Sequence, residues 1–186
     1  MSVSVRTRRF SVEEYYRMVR AGILKEDDRV ELVDGEIIEM APMGPRHAFC
    51  VDRFNQRLVE ALGSLAVVRV QGPISLGPHS EPQPDLALSR PPLTRYTESH
   101  PGPDDLFLVI EVADTSVEDD RARKIPLYAR AGIREAWLVN LPAETIELYR
   151  SPTREGYRDT RALGRGQALA PEAFPEVTFA VDDLFG

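Results

Sequence analysis

The chain has 186 residues, 42% hydrophobic and 28% charged, with a net charge of −7. This length and apolar content predict one domain with its own core and exclude a chain that is disordered throughout. The single cysteine, Cys50, excludes an internal disulfide framework, and no run approaches the roughly 18 apolar residues of a membrane span.

A lone cysteine fits a reducing compartment, and the opening MSVSVRTRRF lacks the apolar stretch of a secretory signal, so the expected location is cytoplasmic. The acidic balance disfavours nucleic acid unless basic residues cluster locally. Only Lys25 and Lys124 are lysines; the other 21 of 23 basic residues are arginine.

Residues 1–9 read as a basic arm, followed by one domain over 10–186 with its core at about 29–150. Ser11 and Glu14 form a capping-box pattern that opens a helix near residue 12, which Gly22 closes. Arg29–Met40 reads as a hairpin turning at Asp34-Gly35. Pro45 starts a second helix whose stripe is Phe54, Leu58 and Leu62. Short strands are expected at Val67–Val70, Ile74–Leu76 and Asp85–Leu88, then a surface loop over 89–105. Leu106–Ala113 (LFLVIEVA) reads as a central strand buried on both faces. A helix over 117–131 ends at Gly132, strands follow at Glu135–Asn140 and Thr145–Arg150, and a last apolar stretch lies at Val177–Leu184. The order predicts a mixed α/β fold, with a parallel crossover over 106–140.

Two acidic residues occupy positions where solvation is hard to explain. Asp85 follows Pro84 at a strand start, and Glu111 interrupts the most apolar strand. A buried carboxylate needs a partner, so two readings stand side by side. One is a salt bridge to an arginine. The other is a hard divalent cation, Mg²⁺ or Mn²⁺, bound by Asp85, Glu111 and the carbonyl of Val112, with waters completing the shell.

Pro84-Asp85, with Glu111-Val112-Ala113 following 26 positions after Asp85, resembles the core motif of the PD-(D/E)XK nuclease superfamily. More closely, the chain resembles the Uma-type, restriction-endonuclease-like family of bacterial proteins. That resemblance rests on Phe10–Tyr15, Val30–Ile37, His47, Pro84-Asp85, Val109–Val112 and the run from Asp120 to Asn140. It implies a restriction-endonuclease-like core, a central mixed sheet flanked by helices. Where the superfamily motif has lysine this chain has Ala113, and the resemblance implies that Lys124 takes over from the next helix. Asp120, Lys124 and Tyr128 recur at steps of four and so share a helical face. Glu31 matches the family pattern as a further acidic residue of the site, with an ordinary strand-edge glutamate as the other reading. His47 matches a position near a helix start, where it would hold phosphate or act as an acid, or serve structure alone.

The function so implied is a metal-dependent endonuclease. Asp85 and Glu111 hold the ion, Lys124 assists the attacking water, and Glu31 completes the ligand set. Arg6, Arg8 and Arg9 form one basic cluster; Arg121, Arg123, Arg130 and Arg134 form another that would contact phosphates. The expected partner is nucleic acid, DNA above all, with no membrane and a homodimer as the expected assembly. Two alternatives remain: an inactive interaction module with the same fold, and a hydrolase of a smaller phosphate ester.

Overall fold

The computed structural model describes residues 7–25 and 27–186, so Arg6 and most of the basic arm lie outside the described residues. In chain order the elements are α1 (Val12–Arg20), β1 (Val30–Val33), β2 (Glu36–Glu39), α2 (Pro45–Leu62), β3 (Val67–Val70), β4 (Leu86–Ser89) and β5 (Leu106–Ala113). Then come α3 (Val117–Asp119), α4 (Ile125–Ala131), β6 (Glu135–Asn140), β7 (Thr145–Thr153), β8 (Gly156–Leu163), β9 (Ala168–Leu169), β10 (Phe179–Ala180) and α5 (Val181–Phe185). The fold is mixed α/β.

Most start and stop signals act as their chemistry dictates. Ser11 Oγ accepts the Glu14 N–H at 3.2 Å while the Glu14 carboxylate accepts the Ser11 N–H at 3.0 Å, closing the capping box of α1. Asp34 and Gly35 take φ of +50° and +79°, as a two-residue hairpin turn requires, and β1 pairs with β2 in register Val33↔Glu36.

The strand β5 has seven of eight residues buried and lies inside a six-stranded sheet of order β3-β4-β5-β6-β7-β8. Only the β5–β6 pair is parallel; the other four pairs are antiparallel. Alternation splits β5 between two cores. Leu108, Ile110 and Val112 join Phe54, Leu58, Leu62 and Trp137 on the α2 and α5 side, whereas Val109 and Ala113 join Ile125, Tyr128 and Leu138 on the α4 side. Each such buried aliphatic or aromatic side chain contributes about 1.5–3 kcal/mol.

One expected strand is absent, and one observed strand was not foreseen. Ile74–Leu76 forms no sheet strand. Its N–H groups reach the carbonyls of Pro82, Pro101 and Ser80 instead, because Pro73, Pro78, Pro82 and Pro84 remove donors that a ladder needs. The edge strand β8, sequence GYRDTRAL, escaped notice because its exposed polar residues carry no apolar alternation. The helix over 117–131 also contains a π-helical turn, Asp120–Lys124, in which Ile125 N–H bonds to Asp120 C=O. Pro126 lies just beyond it and donates nothing to the preceding turn.

The hairpin places Glu31, and its turn is tightly fitted: a Cβ on Gly35 would lie 2.5 Å from Arg9 Cβ. Gly22 has a similar φ, +70°, with nothing near. Gly35→Ala is therefore expected to lose about 2–4 kcal/mol and Gly22→Ala only about 1–2 kcal/mol. Urea unfolding midpoints at unchanged slope measure both, and equal losses would show that the Arg9 contact is immaterial.

Candidate active site

Five separate stretches of chain bring their polar side chains into one cleft of about 630 Å³. Its lining includes Glu31, His47, Asp85, Glu111, Val112, Asp120, Arg123 and Lys124. Glu111 arrives on the α4-facing side of β5, as alternation with Val109 and Ala113 demands. Lys124 ends the π-helical turn above it, and Glu31 comes from β1, outside the large sheet. Asp85 immediately precedes β4, and its Oδ2 accepts the Val112 N–H at 2.9 Å.

The Lys124 ammonium bridges two carboxylates. Its Nζ lies 3.0 Å from Glu31 Oε1 and 3.3 Å from Glu111 Oε2. The remaining oxygens are also satisfied: Glu31 Oε2 accepts the Gln83 N–H at 2.9 Å, and Glu111 Oε1 accepts the Tyr128 hydroxyl. Asp120 stands beside them and accepts from Ser116 Oγ at 2.7 Å. Burial pushes Lys124 down, but Glu111, Glu31 and Asp120 outweigh it and hold the ammonium above the ordinary lysine value. Burial pushes Glu111 well above the usual carboxylate range, with Lys124 opposing, and it raises Asp120 in the same sense. The buried Tyr128 hydroxyl is raised well above its ordinary value, mainly by burial.

A second network centres on Asp85. His47 Nε2 lies 3.2 Å from its Oδ2, and Gln71 Nε2 lies 3.3 Å from its Oδ1. The hydrogen bond to Asp85 raises His47, against a lowering by burial.

The donor set suits a hard divalent cation. Asp85, Glu111 and Val112 share the cleft and offer only oxygen, the preference of Mg²⁺ and Mn²⁺. The Lys124 ammonium already seated between Glu31 and Glu111 shows that this carboxylate pair is built to face positive charge. Among the described residues no three His, Cys, Asp or Glu side chains are grouped to hold a metal. An ion here would therefore complete its shell with main-chain oxygen and water.

The structure thus brings together Glu31, His47, Asp85, Glu111, Val112, Arg123 and Lys124. Arg123 sits on the rim, 3.3 Å from Glu36 of the hairpin. Arg121 does not line the cleft; it forms a fork on Glu147 with contacts of 3.1 and 2.5 Å and also holds Glu118. Cys50 is buried and burial pushes its thiol up to about 12, which leaves no nucleophile there. Sequence reasoning missed Gln71 and Gln83, whose contacts arise from loops with no periodic signal. It placed Tyr128 on the Lys124 face but did not see its bond to Glu111.

Folded Glu111 keeps its proton to higher pH than an unfolded glutamate, whose ordinary value is 4.5. The unfolded chain therefore gives up this proton first, and stability falls as pH rises from that value toward the higher folded one. Glu111→Gln removes this loss. In the metal-free protein, the unfolding free energy of the variant relative to the native chain should rise by about 1 kcal/mol or more between about pH 4.5 and pH 7. Denaturant titrations across that range would show parallel curves if Glu111 were not the desolvated acid.

Among comparisons with known proteins, a family model described as "Uma2: Putative restriction endonuclease" matches residues 12–182. A crystal structure described as a "putative nuclease belonging to DUF820", from Anabaena variabilis, superposes with a TM-score of 0.74 at 16% identity, covering 95% of this chain and 97% of that one. That likeness shows a shared fold. No curated protein matches the chain. Because the matched span runs from α1 to α5 and takes in every element that builds the cleft, the chain belongs to the Uma2 family.

Proposed function

We propose that the protein is a metal-dependent endonuclease that hydrolyses nucleic-acid phosphodiester bonds, with DNA as its substrate. The observation that carries this reading is the convergence of Glu31, Asp85, Glu111 and Lys124, from four stretches of chain, on one cleft. Asp85 and Glu111, with the Val112 carbonyl, would hold Mg²⁺ or Mn²⁺. Bound there, the ion would supply Lewis acidity toward a phosphoryl oxygen and a more acidic water.

The chain's own groups have distinct tasks. Lys124 is held as an ammonium by its carboxylates, so it acts through charge: it donates hydrogen bonds to the phosphoryl group and offsets the negative charge that develops there. That state argues against Lys124 as the base that deprotonates water. Glu31 orients the ammonium through its 3.0 Å contact. His47 is bonded to Asp85 and so steadies the carboxylate rather than reaching for phosphate. Arg123 stands at the mouth, where its guanidinium meets a phosphate once it leaves Glu36.

Calorimetry with Mn²⁺ is expected to show binding to the native chain that disappears in folded Asp85→Ala and Glu111→Ala variants. Lys124→Ala should lower cleavage of DNA by about 10²–10³-fold. No binding at millimolar Mn²⁺ and no cleavage would favour an inactive interaction module. Metal binding with hydrolysis of small phosphate esters alone would favour the smaller substrate. DNA affinity measured across salt should fall steeply, and Arg123→Ala should reduce the slope of log affinity against log salt by about 1. A flat dependence in the native chain would remove phosphate contacts from the account.

A further inference from the structure

Gln71 follows β3 with a φ of +48°, in the left-handed region that residues with a Cβ seldom adopt. A turn of that kind favours glycine or asparagine, and glutamine has no local bond that compensates. The neighbouring Gly72 does not carry the conformation. Strain kept at a residue beside a candidate site calls for a reason in what its side chain does.

Both ends of Gln71 hold Asp85. Its main-chain N–H donates to the Asp85 carbonyl at 2.9 Å, extending the β3–β4 ladder one step past Val70↔Leu86. Its side-chain Nε2 donates to Asp85 Oδ1 at 3.3 Å. The same nitrogen lies 2.8 Å from Met43 Sδ on the cleft wall, but a thioether is the weaker acceptor. The other carboxylate oxygen, Oδ2, already takes the Val112 N–H at 2.9 Å and His47 Nε2 at 3.2 Å. Oδ2 is thereby filled, and Oδ1, with one protein donor, keeps capacity for a cation.

We infer that Gln71 is a positioning residue that fixes the rotation of the Asp85 carboxylate so that Oδ1 is presented to a divalent cation. The inference rests on the reading of Asp85 as a metal ligand. The left-handed backbone is what aims the amide at Oδ1; an extended backbone would carry the side chain elsewhere.

Two variants separate positioning from simple stability. Gln71→Gly relieves the backbone strain and removes the amide. Gln71→Met keeps the side-chain length and the strain, but has no donor. Mn²⁺ affinity by calorimetry and thermal midpoint are measured on the full chain for both. The expected result is a loss of Mn²⁺ affinity of about tenfold in both variants, the usual effect of removing a group that orients a ligand, while the Gly variant has the higher midpoint. Either variant suffices if the other does not fold. Native Mn²⁺ affinity in a folded variant would overturn the role of Gln71 and leave the metal site standing. Absence of Mn²⁺ binding to the native chain would overturn the metal site, and this inference with it.

Discussion

One buried ammonium holds the site together. Lys124 lies between Glu31 and Glu111, with Asp120 close by, and only 13% of its side chain is exposed. Several kcal/mol per ion is the usual cost of taking such charges from water. Lys124 opposes the upward push of burial on Glu111, and Glu111, Glu31 and Asp120 together hold the ammonium against the downward push of its own burial. The contact also joins three pieces that share no backbone ladder: the hairpin strand β1, the central strand β5 and the helical segment over 117–131. Removing the lysine alone would leave buried carboxylates uncompensated, typically a loss of about 3–5 kcal/mol.

The choice of lysine in a chain otherwise rich in arginine has a physical basis. An ammonium is a compact charge with three donors, able to face two carboxylates from different elements at 3.0 and 3.3 Å. A guanidinium fork matches one carboxylate edge-on, which is what Arg121 does with Glu147, while Arg150 brings Nε and Nη2 together onto Oε1 of the fully buried Glu135. Arg121 and Arg150 thus tie structure together, while Lys124 places its compact charge in the cleft. The π-helical turn carries the acid and the lysine that meet there. Asp120 and Lys124 open and close that turn, and Tyr128, one α-helical turn further, reaches Glu111.

Three of the sites where local rules are broken lie at or beside the cleft. Glu111 interrupts an apolar strand, Gln71 holds a left-handed backbone, and Pro84 halts a ladder so that the Asp85 side chain receives an N–H that a strand would otherwise claim. Each is unfavourable for the element that contains it, and each supplies a group aimed at the same place. Such concentrated conflict between local preference and global fold is expected at a working site.

Much of this was legible in the residues. The apolar run of β5, the capping box at Ser11 and Glu14, the Asp34-Gly35 turn and the Phe54, Leu58, Leu62 stripe are short-range patterns, and short-range sterics and burial decide them. A carboxylate inside an apolar strand is conspicuous for the same reason. The polar edge strand β8 and the non-ladder course of Ile74–Leu76 were not legible, since sheet edges and proline-broken segments depend on neighbours far along the chain. By itself the sequence determined most of the elements, the two buried acids and a lysine on the helix that follows them. Only the tertiary structure decided that Lys124 faces Glu31 as well as Glu111, that Arg121 turns to Glu147, and that Gln71 holds Asp85. Those pairings join residues up to 93 positions apart in sequence, and sheet order and helix packing, not local spacing, bring them within hydrogen-bond reach.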